Sequence, residues 1–110
     1  MKKAEKNYVV VIPAETHLYV KRINDGSPVG RMLSCLVGGS LWYRSAENGL
    51  VLVTGEGDRP DGKLNATATA LHGGALVRGD AVLMRLGADD IKMYTKAEAQ
   101  AVVQVLHNVM

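Results

Sequence analysis

The chain has no phenylalanine, one tryptophan, one cysteine and three prolines among its 110 residues. A single cysteine excludes an intramolecular disulfide and any cysteine-based metal set within one chain. Cys35 falls between Ser34 and Leu36 on a predicted helix. A free thiol there is read as a small buried hydrophobe, because a nucleophile would need a histidine beside it. Long apolar runs are also missing. Val9-Val10-Val11-Ile12 is far short of the roughly twenty residues that a bilayer-spanning helix requires. The start of the chain, through Lys2, Lys3 and Lys6, is basic like the first region of a signal peptide. Pro13, Glu15 and His17 then interrupt the apolar stretch that would have to follow. Residues 1–6 are therefore read as a flexible polar lead-in to a strand, in a cytoplasmic protein. Neither sign of charge dominates, with 13 basic against 11 acidic residues and a net charge of +2. Overall charge consequently gives no argument for nucleic acid.

Motifs with strong chemical meaning are equally scarce. Ser34, Ser40 and Ser45 stand in no Gly-x-Ser-x-Gly elbow, no complete Gly-x-x-x-x-Gly-Lys-Ser/Thr phosphate cradle occurs, and Gly55-x-Gly57 is not followed by the third glycine of a dinucleotide-binding loop. The three histidines, His17, His72 and His107, form no His-x-x-x-His or Glu-x-x-His pair, so a metal site would have to be assembled by the fold. Asp89-Asp90 are adjacent in a turn and face water. The reading leans away from an enzyme, with no catalytic residue, no cofactor and no metal ligand assigned.

What is present is secondary-structure patterning. Hydrophobic residues make up 47% and charged residues 22% of the chain, the balance of an ordinary globular domain. At this length one core and one domain, residues 1–110, are expected. Asn7 to Pro13 is rich in β-branched residues and reads as a strand, and His17 to Ile23 alternates with period two. The short link Ala14-Glu15-Thr16 makes the two an antiparallel hairpin. Ser27-Pro28 opens a predicted helix whose Val29, Met32, Leu33, Leu36 and Val37 share one face, and Gly38-Gly39 ends it. Ser40 to Arg44 is a third strand and Asn48-Gly49 a hairpin turn. Leu50 to Thr54 shows no alternation, which predicts a strand buried on both faces. Asn65 caps a short helix closed by Gly73-Gly74. Ala81 to Leu86 is a fifth strand and Ile91-Lys92-Met93 a short edge. Thr95-Lys96-Ala97-Glu98 is a capping box for a last helix with Ala99, Val102, Val103 and Leu106 on its apolar face. The fold class is α+β: one compact domain with an antiparallel or mixed sheet of about 4–6 strands packed with 2–3 helices.

Taken in order, Leu36-Val37-Gly38-Gly39, Gly49-Leu50-Val51-Leu52-Val53, Asn65 to Leu71, Arg78-Gly79-Asp80-Ala81-Val82-Leu83 and Tyr94-Thr95 before Glu98 resemble a family of small uncharacterised proteins. That family, a domain of unknown function, occurs in phages, plasmids and their bacterial hosts. The resemblance implies a mobile-element accessory protein that works by binding a host macromolecule, a host protein first, in an anti-defence or regulatory role.

Three surfaces are candidates for that role. Trp42 and Tyr43 are successive residues of one strand, so one is expected in the core and the other at an interface, with Trp42 the member assigned to the core. The polar loop Gly55–Lys63 carries Glu56, Asp58, Arg59, Asp61 and Lys63, and is the alternative site for a small molecule or nucleotide. It lacks the ligand spacing of a calcium loop. Lys2, Lys3, Lys6, Lys21 and Arg22 are the alternative site for nucleic acid. No membrane partner is expected. A homodimer is expected through the strand edges Asn7–Ile12 or Ile91–Met93.

Overall fold

The computed structural model describes residues 7–14, 17–23, 31, 33, 36–37, 41–45, 49–55, 63–71, 73, 76–86 and 91–109. Six strands run in the order β1 (Tyr8–Ile12), β2 (Tyr19–Arg22), β3 (Leu41–Ser45), β4 (Leu50–Gly55), β5 (Ala81–Leu86) and β6 (Ile91–Lys92), with helices α1 (Ala66–Leu71) and α2 (Lys96–Val109). Arg31, Leu33, Leu36 and Val37 also have helical backbone. The sheet order is β2-β1-β5-β4-β3, with β6 added to β5, and every pairing is antiparallel. At Arg85 of β5, Leu50 of β4 occupies one side and Lys92 of β6 the other. β6 therefore takes over the side of β5 that β1 leaves once its pairing stops at Leu83. The predicted hairpin of β1 and β2 is present, with Val10 opposite Val20. The Asn-Gly signal is matched by Gly49 at φ +72°, a left-handed backbone that glycine adopts without a steric cost.

The sheet is buried on both faces, and this explains the apolar runs. Successive strand residues point to opposite sides, so Val10, Ile12, Leu52 and Leu83 join Ala68, Val77, Tyr94, Ala99 and Leu106 in one cluster under α1 and α2. Val9, Val11, Val51, Val53, Val82 and Met84 join Leu33, Val37 and Ile23 in a second cluster on the opposite face. The two amphipathic faces read from the sequence thus cover opposite sides of one sheet. Of the first, Leu33 and Val37 are buried and Leu36 partly so, while Val29 and Met32 lie outside the described residues. β4 is buried from Val51 to Gly55, as its lack of alternation predicts.

Asn65 is the polar centre of the first face. It is 1% exposed, and its Nδ2 donates to the carbonyls of Ile12 at 2.7 Å and Gly79 at 2.9 Å. Its Oδ1 accepts from the Ala68 amide at 3.1 Å, the N-cap bond of α1. One side chain therefore holds the end of β1, the entry to β5 and the start of a helix. Next to it, the Val77 amide donates to the Thr69 hydroxyl at 2.9 Å, and the Gly79 amide to the Lys63 carbonyl at 2.8 Å. Gly73, at φ +73°, lies just past α1, where a left-handed residue commonly ends a helix.

At the start of α2 the capping box is complete. The Glu98 amide donates to the Thr95 hydroxyl at 3.1 Å, and the Thr95 amide donates to Glu98 Oε1 at 2.9 Å. Glu98 Oε2 also meets Arg85 at 3.0 Å. That ion pair is more than a third exposed and contributes at most about 1 kcal/mol, comparable to the cap itself at about 1 kcal/mol. Just before the box, Tyr94 exchanges two backbone hydrogen bonds with Tyr8, and its hydroxyl donates to the Met84 carbonyl at 3.2 Å.

Two predictions follow from these contacts. Asn65→Ala strands the Ile12 and Gly79 carbonyls in a dry site and removes the cap, so urea denaturation is expected to show a loss of about 2–4 kcal/mol. Asn65→Asp keeps the cap acceptor but turns a carboxylate toward two carbonyl oxygens, and loses a comparable amount. For Tyr94, burial pushes the phenol up from 10.0 to about 12; Arg85 opposes the shift and Glu98 adds to it. Between these values the unfolded phenol loses its proton while the folded one keeps it, so the unfolded state binds fewer protons and stability falls as pH rises. Tyr94→Phe is expected to flatten that alkaline slope in denaturation curves taken from pH 9 to 12, while costing about 1 kcal/mol at neutral pH from the lost hydrogen bond.

Candidate functional site

The β3 edge of the sheet is the candidate site. β3 pairs with β4 on one side, Trp42 opposite Thr54 and Tyr43 opposite Val53. Among the described residues no strand lies on its other side. Trp42 shares a face with Leu52 and Thr54, and Tyr43 shares the opposite face with Val53.

Trp42 is 47% exposed and Tyr43 46%. This corrects the expectation that one of the pair, Trp42, belongs to the core. The reason is lateral position, since α2 packs over β1 and β2 at the far side of the sheet. Alternation decides in or out only where one face is covered and the other is not, and α2 packs over β1 and β2 rather than over this outer strand.

The Arg44 guanidinium lies 4.2 Å from the centre of the Trp42 ring, and its Nε donates to the Thr54 hydroxyl at 3.2 Å. Thr54 is 2% exposed. A buried hydroxyl thus fixes a cation, and the cation fixes an exposed indole. Such a stacked pair contributes about 0.5–1 kcal/mol at an exposed site, small for stability but enough to restrict the orientations of the ring. Sequence reasoning missed Arg44, although a signal was there: residues two apart on a strand share a face.

The two edges of the sheet differ. β2 carries Lys21 and Arg22, the kind of charged decoration that discourages strand addition. β3 reads Leu-Trp-Tyr-Arg-Ser, with neither lysine nor proline, and its one cation is folded over Trp42.

Among the described residues the remaining candidates do not gather into a site. Lys21 pairs with Val9 and Arg22 with Tyr8, so the two cations point to opposite faces and build no common basic stripe. Lys63 is exposed beside the Leu64–Arg78 bridge. Lys2, Lys3, Lys6, Glu56, Asp58, Arg59, Asp61, His72 and Asp89-Asp90 lie outside the described residues. Among the described residues no three His, Cys, Asp or Glu side chains group as metal ligands, and no helix is long and apolar enough to cross a membrane. β1 is paired on both sides, which removes Asn7–Ile12 as a dimer edge.

No protein-family model matches the chain, and comparison with curated proteins and with solved structures returns no match.

Because Trp42 is the sole tryptophan, its emission reports on this edge directly. Thr54→Val, which keeps the volume but frees Arg44, is expected to lower the steady-state anisotropy of Trp42 with little change in unfolding midpoint. An unchanged anisotropy would show that the hydroxyl does not hold the pair.

Proposed function

We propose that this chain works by recognising a protein, with an extended segment of the partner adding to the free side of β3 as a further strand. One observation carries the reading: among the described residues, an outermost strand with neither lysine nor proline holds its tryptophan and tyrosine in solvent on opposite faces. In strand addition, main-chain hydrogen bonds supply affinity and side chains on alternate positions supply specificity. Trp42 would select on one face and Tyr43 on the other. Exposed aromatics are the residues whose truncation costs most at interfaces, about 2 kcal/mol or more at a hot spot. Arg44 reduces the cost of ordering the indole, because the ring is already oriented before a partner arrives.

In the mobile-element setting implied by the resemblance, the partner is a host protein met in the cytoplasm, and the chain acts as an accessory factor by occupying it. Neither the nucleotide reading nor the nucleic-acid reading draws support from a comparable arrangement among the described residues.

The test is a displayed library of ten-residue peptides panned against the wild-type chain and against Trp42→Ala/Tyr43→Ala. Peptides specific to the wild type are expected, shifting Trp42 emission on binding and protecting β3 amides from hydrogen exchange. Loss of one aromatic should weaken binding about 10–30-fold. Peptides that bind both proteins equally, or that protect amides elsewhere and not in β3, would refute it.

A further inference from the structure

The two histidines at the opposite side of the sheet have no part in that reading. His17 leads into β2, and His107 lies in the last turn of α2. Their ring centres are 6.3 Å apart, with the ring planes inclined at 47°. Both are exposed. Packing explains why they meet: Leu18, Val20, Val102 and Val103 all pack against the first core cluster, which contains Leu106, and α2 lies over β2. The residues that carry the rings are thus positioned by partly buried neighbours, although the rings themselves face water.

We propose that His17 and His107 form a two-imidazole site for a borderline divalent transition ion of the nickel, copper or zinc class. An imidazole nitrogen binds such an ion at about 2.0–2.1 Å, which puts each ring centre about 3 Å from it. Two ring centres 6.3 Å apart lie just beyond twice that distance, so the exposed rings must rotate about 1 Å or more toward each other to share one ion at the angles these ions adopt. Imidazole suits these ions, while magnesium and calcium prefer oxygen donors. Water completes the coordination, because among the described residues no third ligand joins the pair. The bound ion would join the lead of β2 to the end of α2 and so restrain the helix against the sheet edge.

The experiment uses tag-free protein, with nickel, copper and zinc chlorides as probes and magnesium chloride as the comparison. Saturating transition ion is expected to raise the Tm of the wild-type chain by about 5–10 °C, because a ligand that binds only the folded state stabilises it by mass action. A chelator should reverse the rise, and magnesium should give none. His17→Gln and His107→Gln should each abolish the rise while leaving the metal-free Tm unchanged, and His72→Gln should retain it. In the wild type, substoichiometric copper should broaden the imidazole proton resonances of His17 and His107 together. No rise in the wild type, an equal rise in both single variants, or broadening of only one of the two rings would overturn the proposal.

Discussion

The structure depends on one constraint: its central strands must be apolar on both sides at once. β1, β4 and β5 lie between two layers, so consecutive residues in each strand point into two different cores. A buried backbone needs its amides and carbonyls paired, and the ladders to β2, β5, β4 and β3 supply those bonds. Val9 to Ile12 and Val51 to Val53 are the sequence record of this condition. A polar residue at any of these positions would be buried without a partner, whichever way it pointed.

Where Asn65 enters the interior, it replaces backbone pairing that the strands cannot provide. The Ile12 carbonyl stands where β1 ends and the Gly79 carbonyl where β5 has not begun. Asn65 meets both and caps α1 with its remaining oxygen. A carboxamide suits the position because it offers two donors and an acceptor on one rigid plane. Serine, a comparable N-cap, could not reach both carbonyls. The same logic holds for Thr69, whose hydroxyl satisfies the Val77 amide, and for Tyr94 against the Met84 carbonyl. The Val77 amide and Tyr94 both belong to segments where the chain passes between regular elements.

This division decides what could be read from the sequence. Period and run length follow from local geometry, so the α+β class, the β1–β2 hairpin, the unalternating β4, the Asn65 cap and the Thr95–Glu98 box were all legible. Which strand lies at the outside is a property of pairing over long separations, and no local pattern carries it. β1 reads like an edge candidate but sits inside, and β3 reads like a half-buried strand but sits at the margin. Trp42 was assigned to the core for that reason. Arg44 could have been found, since its spacing from Trp42 puts both on one face whatever the strand order. The approach of His17 to His107 was not legible, because it depends on where α2 crosses the sheet.

Both faces of the central strands are consumed by cores, and among the described residues the lateral strands β2 and β3 are the ones with no further neighbour. The edges have opposite characters for a mechanical reason. α2 lies over β1 and β2, so that side is thick, and β2 adds cations that discourage further pairing. Among the described residues β3 is the last strand beyond β4, on the side away from that helix. An edge strand bearing large exposed aromatics would ordinarily invite indiscriminate association. Arg44 counters this by laying a charge on the indole, so a partner strand of the kind proposed would have to accommodate a cation next to Trp42 and offer an apolar or aromatic group to Tyr43 on the other face. Selectivity at this edge would then come from the requirement that one partner strand satisfy two unlike faces at alternate residues, which few extended segments do by chance.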